Sequence, residues 1–489
     1  MSKKSIYLLV LVFLLTLSSC NGRTTDEDII EDFSEEYTHS EVSEKVPNEV
    51  PDEPVAYVSS PPPFIPPARV FDFSSDAILL ETVEISHPIF IMEGFLPYNY
   101  AYERDAFLEL TESNLLTVTE FIWAIRRYVT LLRDAHMAWL PWGGNYINFE
   151  CIYLDGRFYL LDEYGATAEI VAIGGVSVAE LLHHVNIYFY FENDAARQLY
   201  YPQLIRYTGL LRRIGALEPG NSRVAVTMLY DGNKRDEYYN FAPIPQTGGQ
   251  TSPGYYVSHA MVDDIFVADV RGFMCEGGMN TSIVEGDYGP EFFIELCHIH
   301  EEFYYAIETA VENGVRNFIV DVRDNGGGDS HLAYLILQHM GMTRPEAGSI
   351  TRFTGNEGLR NNFIGVDLDG LDYIIFDPNT ESAKNPNNIG LVVLTNNNTF
   401  SASTLFAAWV QDGNLGHVIG EPSTNAPSMF GVVFPLRLPT LNMDIPISNS
   451  RVLRPDATAD QTTVWPDIIV PSDEALDAAI EFLRNRNLE

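Results

Sequence analysis

From Gly254 to the C-terminus, short apolar runs alternate with amphipathic stretches, joined by turns rich in glycine and asparagine. Asp264-Ile-Phe-Val-Ala-Asp-Val270, Phe318-Ile-Val-Asp-Val322 and Leu391-Val-Val-Leu-Thr395 read as strands of buried type. Between the first two, Glu301 to Asn313 carries Phe303, Ile307, Ala310 and Val311 on one helical face, with Gly314 past its end. A further helix is predicted from about Asp329 to Met340, and another after Ser401, signalled by Leu405, Phe406 and Trp409. Strand, turn and helix repeated in this order predict an α/β layered domain with substantial parallel pairing over residues 254–489.

The preceding chain reads differently. Residues 70–144 form a helical region whose clearest element runs from Thr117 to Arg133. There Thr117 and Glu120 make a capping-box pair, and Val118, Phe121, Ile122, Ile125, Val129 and Leu132 line one stripe. The helix ends at Arg133-Asp-Ala-His136, and Pro141, Gly143 and Gly144 break the chain. Residues 145–253 carry the strands Arg157–Leu161, Glu169–Ile173 and Val224–Tyr230. Asp155-Gly156, Gly174-Gly175 and Asp231-Gly232 turns separate them, and one helical stretch starts near Val178. This is a small α+β module, and Pro243 to Gly254 reads as the linker that closes it.

At the N-terminus Lys3 and Lys4 precede an apolar run from Ile6 to Leu17, then Leu17-Ser-Ser-Cys20. The run suits a secretory signal better than a membrane span. The arrangement resembles a bacterial lipoprotein signal, residues 1–20, with lipid on Cys20 holding the mature protein on the outer face of a membrane. Between Asn21 and Ser60 twelve acidic residues face only Arg23 and Lys45, and Pro61-Pro-Pro-Phe-Ile-Pro-Pro67 follows. Residues 21–69 therefore read as an extended acidic tether. A net charge of −39 argues against nucleic acid and anionic lipid headgroups as partners. With Cys20 assigned, Cys151, Cys275 and Cys297 remain, enough for at most one disulfide. Cys297-His-Ile-His300 lacks a second cluster at zinc-like spacing, so no metal and no cofactor is expected.

Two turns carry candidate chemistry. Gly326-Gly-Gly328, between a strand and a helix, frees backbone N–H groups to face a ligand, as an anion site or an oxyanion hole. Neither nucleotide-binding glycine pattern is present. Asn398-Thr-Phe-Ser401-Ala-Ser403 joins a buried strand to a helix N-terminus, where free N–H groups favour developing negative charge. Ser, Thr and Asn are also the commonest helix caps, and Ser403 reads as one.

Together these turns resemble the C-terminal processing (tail-specific) peptidases and their tricorn relatives. Asp321-Val-Arg-Asp-Asn-Gly-Gly-Gly328 is similar to the family's strand and glycine turn, Ser401-Ala-Ser403 to its Ser-Ala-Ser turn, Val418-Ile-Gly-Glu-Pro422 to its next strand, and Pro466-Asp467 to its final Pro-Asp pair. The resemblance implies a catalytic domain of the ClpP/crotonase-like type at 254–489. It also implies a degenerate PDZ-like module at 145–253, with Ile173-Gly-Gly-Val176 as its turn.

The Ser-Lys branch of this family places a lysine about twenty-five residues after the nucleophile, where this chain has Ala426; Lys384, the only lysine after Lys234, precedes the turn. The tricorn-like branch uses a histidine from the N-terminal region in an Asp-x-His setting, matched by Asp134-Ala-His136. The resemblance therefore implies Ser401 as nucleophile and His136 as its base, since a serine hydroxyl needs a proton acceptor such as imidazole. It assigns the imidazole-orienting role to Asp460, with Gln461 as fallback, although Ala135 stands where the family has an auxiliary serine. Asp134 could itself orient His136, but residues so close in sequence often point apart, and a structural role is preferred for it. Gly326 or Gly327, with Ala402, would supply the oxyanion donors.

The expectation is a membrane-anchored, extracytoplasmic serine endopeptidase acting on peptide or protein substrates through an acyl-enzyme. The alternative is a noncatalytic ligand- or peptide-binding lipoprotein on the same fold.

Overall fold

The structure, a computed structural model, describes residues 69–113, 115–137, 145–162, 165–243, 256–274, 280–286, 289–295, 298–352 and 372–486. The signal peptide with Cys20, the tether to residue 68, most of the linker after Pro243, and Cys275 and Cys297 lie outside these residues. So does any disulfide between the last two. Cys151 is buried and free.

The first α-helices among the described residues are α1 (Ile78–Ser86), α2 (Tyr100–Ser113) and α3 (Val118–Thr130). The predicted capping box starts α3: Thr117 accepts the Glu120 N–H at 3.2 Å, and Glu120 accepts the Thr117 N–H at 2.8 Å. Phe121, Ile125, Val129 and Leu132 are buried with Phe430, Leu438, Ile445 and Ile447. The apolar stripe of an N-terminal helix is thus docked on strands more than 300 residues later. This packing carries the segment after α3 into the C-terminal part of the molecule.

The middle region is a mixed sheet-and-helix unit: β1 (Asn145–Ile147), β2 (Glu150–Leu154), β3 (Arg157–Asp162), β4 (Gly165–Ile173), β5 (Val176–Ser177), α4 (Val178–Tyr188), α5 (Asp194–Leu204), α6 (Thr208–Arg213), β6 (Arg223–Tyr230) and β7 (Asn233–Pro243). Its antiparallel sheet runs β1-β7-β6-β4-β3-β2, with β5 on β4. The strands read from sequence are all present. Two of the three helices were not anticipated, because α5 contains Pro202 and α6 is a six-residue turn. Both are held by burial: Tyr201, Leu204, Leu210 and Leu211 share one core with Leu181, Ile170 and Val226.

The C-terminal region contains β8 (Val257–Val262), β9 (Ile265–Val270), the pair β10 (Asn280–Gly286) and β11 (Gly289–Glu295), α7 (His298–Glu312), β12 (Asn317–Asp321), α8 (Ser330–His339), β13 (Gly348–Arg352), β14 (Tyr373–Phe376), β15 (Gly390–Thr395), α9 (Ala402–Asp412), β16 (His417–Gly420), β17 (Phe430–Leu438), β18 (Met443–Leu453), β19 (Ile468–Ile469) and α10 (Ala475–Arg486). The central sheet runs β19-β16-β15-β12-β9-β8, parallel throughout except at the β8–β9 hairpin. Its central strands β12 and β15 are buried on both faces and almost wholly apolar, as interior parallel strands must be. Phe318, Val320, Leu391 and Val393 pack with the helices α7, α8 and α9, whereas Ile319, Val392 and Leu394 pack with Ala475, Ala479 and Leu483 of α10.

The alternation does not extend through the whole region. β14-β13-β18-β17 form a separate antiparallel sheet. Its long β17–β18 hairpin turns Phe430, Ile445 and Ile447 onto the N-terminal helices, so one face is buried by a region distant in sequence.

Candidate active site

β15 ends in the turn that enters α9, and Ser401 occupies the junction with φ 55 and ψ −121. A non-glycine residue in this left-handed region is strained by roughly 1–3 kcal/mol and persists where its surroundings over-determine it. Three contacts do so. Ser401 N–H donates to Asn425 Oδ1 at 2.7 Å, Leu405 N–H donates to Ser401 O at 3.0 Å, and Phe400 N–H donates to Asn325 O at 3.0 Å. Ser403 is buried, its Oγ 2.6 Å from both Asn325 O and Phe400 O, so it ties the serine turn to the glycine turn.

His136 reaches the same point from the far end of the chain. Its Nε2 lies 2.9 Å from Ser401 Oγ, across 265 residues of sequence. The chain leaves α3 through Arg133 in the left-handed region (φ 53), and Asp134 follows, fully buried. Asp134 Oδ1 accepts the His136 backbone N–H at 2.8 Å and stands 3.9 Å from the ring Nδ1. Asp134 Oδ2 lies 3.1 Å from His87 Nε2. Because His87 Nδ1 accepts the Ile89 N–H at 3.2 Å, the His87 proton sits on Nε2 and is donated to Asp134. The order His87, Asp134, His136, Ser401 is the chain of contacts at this site.

The electrostatics suit a base. Burial pushes the His136 imidazole below its ordinary value of 6.5, opposed by the charge of Asp134. Burial alone would raise the Asp134 carboxyl, but the hydrogen bond from His87 and favourable electrostatics with the His87 and His136 rings outweigh it and hold the carboxyl below its usual range. A neutral imidazole beside an ionised carboxylate results.

Asp460, read from sequence as the orienting acid, is engaged elsewhere. Its Oδ1 accepts from Thr462 N–H at 2.8 Å and Thr462 Oγ1 at 2.7 Å, and its Oδ2 from Trp465 Nε1 at 2.9 Å, all on an exposed loop. Gln461 is likewise occupied, accepting from Ser428 Oγ and donating to Asp456 O and Ala459 O. The carboxylate beside the imidazole is Asp134, to which sequence reading had given a structural role. It points back because the left-handed Arg133 reverses the chain just before it. His87 had no sequence signal beyond the His-Pro step that starts a short helical turn at Pro88.

The glycine turn meets the serine turn face to face. Gly327 has φ 101, and a Cβ there would lie 2.6 Å from Ser401 Cβ and 3.0 Å from Ala402 N, so only glycine fits. Its N–H is taken by Asn325 Oδ1 at 2.8 Å, which removes Gly327 as an oxyanion donor. Gly326 N–H and Ala402 N–H make no hydrogen bond among the described residues. Ala426, at the position of the missing lysine, is buried and carries no side-chain donor. Among the described residues no group of three or more His, Cys, Asp or Glu side chains is disposed to hold a metal ion.

Residues 290–470 match the family model described as peptidase family S41. The chain is similar in structure to mature CPAF complexed with lactacystin, with a TM-score of 0.52 and 15% identity over 85% of this chain and 97% of that one. At that identity the likeness shows a shared fold. A photosystem II D1 C-terminal processing protease overlaps with a TM-score of 0.38 and 15% identity, over 82% of this chain and 94% of that one.

Proposed function

We propose, for a chain whose residues 290–470 belong to peptidase family S41, the family of the C-terminal processing proteases, that it is a serine endopeptidase using Ser401 and His136. The observation that carries this reading is the 2.9 Å approach of His136 Nε2 to Ser401 Oγ at the tip of a strained turn. Ser401 Oγ attacks the peptide carbonyl carbon while its proton passes to His136 Nε2. The tetrahedral oxyanion is held by the N–H groups of Gly326 and Ala402, each such donor being worth about 3 kcal/mol of barrier. His136 then gives the proton to the leaving amine, the C–N bond breaks, and an acyl-serine remains. Water attacks it with His136 again as base, releasing the acid and restoring Ser401.

In the same reading residues 254–489 are the catalytic domain of the ClpP/crotonase-like type, 70–144 the region that lends the histidine, and 145–253 a PDZ-like module taking peptide by strand addition. Lipid on Cys20 and the acidic tether over 21–69 hold the enzyme outside a bacterial membrane. Incorporation of a fatty-acid analogue, lost in Cys20→Ser, tests the anchor.

The activity is tested by cleavage of unfolded casein by wild type, Ser401→Ala and His136→Ala. Cleavage by wild type alone supports the reading; equal cleavage by all three ends it. One observation favours the noncatalytic binding protein as second reading: His136 Nδ1 is buried without a hydrogen-bond partner among the described residues. Under that reading wild type does not cleave, and peptide capture is unchanged by Ser401→Ala.

A further inference from the structure

The amide of Asn425 that accepts the Ser401 N–H is itself held from its other end. Asn425 Nδ2 donates to Glu192 Oε2, and the Ala426 N–H donates to the same oxygen at 2.6 Å. Glu192 comes from the middle region, on the short segment between α4 and α5. The next residue, Asn193, fixes that segment in two directions. Its Oδ1 caps α5 by accepting the Ala196 N–H at 2.9 Å, and its Nδ2 donates to Ser423 O and Thr462 O, both at 2.9 Å. Two consecutive side chains therefore grip residues 423–426, the segment that occupies the place of the missing lysine. The charged and titratable groups acting on Glu192 are Asp134 and Arg451 from other elements and Tyr190 on its own segment.

We propose that Glu192 is a positioning residue for the nucleophile: by holding Asn425 and Ala426 it fixes the Ser401 backbone in its left-handed conformation and so aims Oγ at His136. The inference rests on the serine-peptidase reading. The physical need is specific. Ser401 sits in a strained conformation with φ 55, and its own N–H is satisfied by a single side-chain oxygen. An asparagine side chain left free at its nitrogen end would rotate among rotamers, and the accepting oxygen would leave with it. A carboxyl oxygen accepting from Asn425 Nδ2 anchors that end, and its second bond, from Ala426 N–H, fixes the backbone carrying Asn425. Glu192 touches neither reacting atom, so its effect is on geometry.

The test compares wild type, Glu192→Ala, Glu192→Gln and Asn425→Ala in two measurements. The first is the rate of labelling by a fluorophosphonate, resolved into kinact and KI. The second is amide hydrogen exchange over residues 399–404. Glu192→Ala and Asn425→Ala should lower kinact about 10- to 100-fold with KI little changed, the scale expected when a reacting group is displaced by an ångström or less. Both should also speed exchange at Ser401. Glu192→Gln should keep wild-type values, because its amide oxygen accepts the same two N–H groups. The inference is overturned if Glu192→Ala labels and exchanges like wild type, or if Glu192→Gln falls as far as Glu192→Ala. Absence of labelling in wild type defeats the peptidase reading instead, and the exchange data still decide whether Glu192 holds the turn.

Discussion

Asp134 lies beside His136 without bonding its ring: Oδ1 accepts the backbone N–H at 2.8 Å and stands 3.9 Å from Nδ1. At that separation the carboxylate acts on the imidazole through charge, since a hydrogen bond requires about 3.2 Å or less. At an effective dielectric constant near 20, unit charges about 4 Å apart interact by roughly 4 kcal/mol, an upper bound here. Asp134→Asn should therefore lower kcat on the order of 100-fold with the fold intact by circular dichroism, and Asp460→Asn should leave it unchanged. A larger loss in Asp460→Asn would restore the assignment made from sequence.

The same pair sets the pH dependence. Burial favours the neutral imidazole, so the His136 value lies below 6.5, and Asp134 pulls it part of the way back. The base stays unprotonated to lower pH, and the acid limb of kcat/KM should fall below 6.5. In Asp134→Asn the upward pull is gone, and the limb should move lower still. A limb above 6.5, or a rise in Asp134→Asn, contradicts this electrostatic account.

Gly327→Ala introduces a Cβ 2.6 Å from Ser401 Cβ at a residue with φ 101. A non-glycine residue in that conformation costs roughly 1–3 kcal/mol, and the methyl group must also push the serine turn. Activity should drop at least about 100-fold, as for a misplaced reacting group, with a modest loss in thermal stability. Gly314→Ala, at φ 87 but with nothing within 4 Å of a Cβ and outside the site, is the control for backbone strain alone. Equal tolerance of both substitutions would contradict the packing of the two turns.

Glu192 also marks stability. Burial pushes its carboxyl from 4.5 up to about 7, partly offset by the hydrogen bond from the Ala426 backbone N–H. A carboxyl with its folded value above its unfolded one binds the proton more tightly when folded. It therefore favours folding below 4.5, and that contribution is lost as pH rises through about 7. A shift of this size corresponds to about 3 kcal/mol, an upper bound because the side chain is partly exposed. Denaturant unfolding of wild type and Glu192→Gln should show the variant gaining relative stability between pH 4.5 and 7.5, a window taken from about the unfolded to just past the folded value. A flat difference across this range would rule out the raised carboxyl.

The parts of the molecule legible in sequence were those encoded by local pattern. Buried strands such as Phe318–Val322 and Leu391–Thr395 announce themselves by continuous apolar character, and the Thr117–Glu120 box marks a helix start. Ser401 and His136 each sit at the end of such an element, but their roles were assigned through the resemblance to the tail-specific and tricorn-like peptidases. What escaped was set by contacts distant in sequence or by single dihedral angles. The role of Asp134 depends on the left-handed turn at Arg133, and Asn425 and Glu192 meet across 233 residues. The β17–β18 hairpin owes its buried face to helices near the other end of the chain. Asp460 satisfied the chain order but not the geometry, its oxygens being taken by neighbours two and five residues away.

The most direct measurement of the central claim is mass-spectrometric mapping of the adduct formed by a fluorophosphonate. The account predicts one modified residue, Ser401, with no adduct in Ser401→Ala and labelling slowed at least about 1,000-fold in His136→Ala, the scale of losing a general base. An adduct on another serine, or labelling of Ser401 at the same rate without His136, would contradict it.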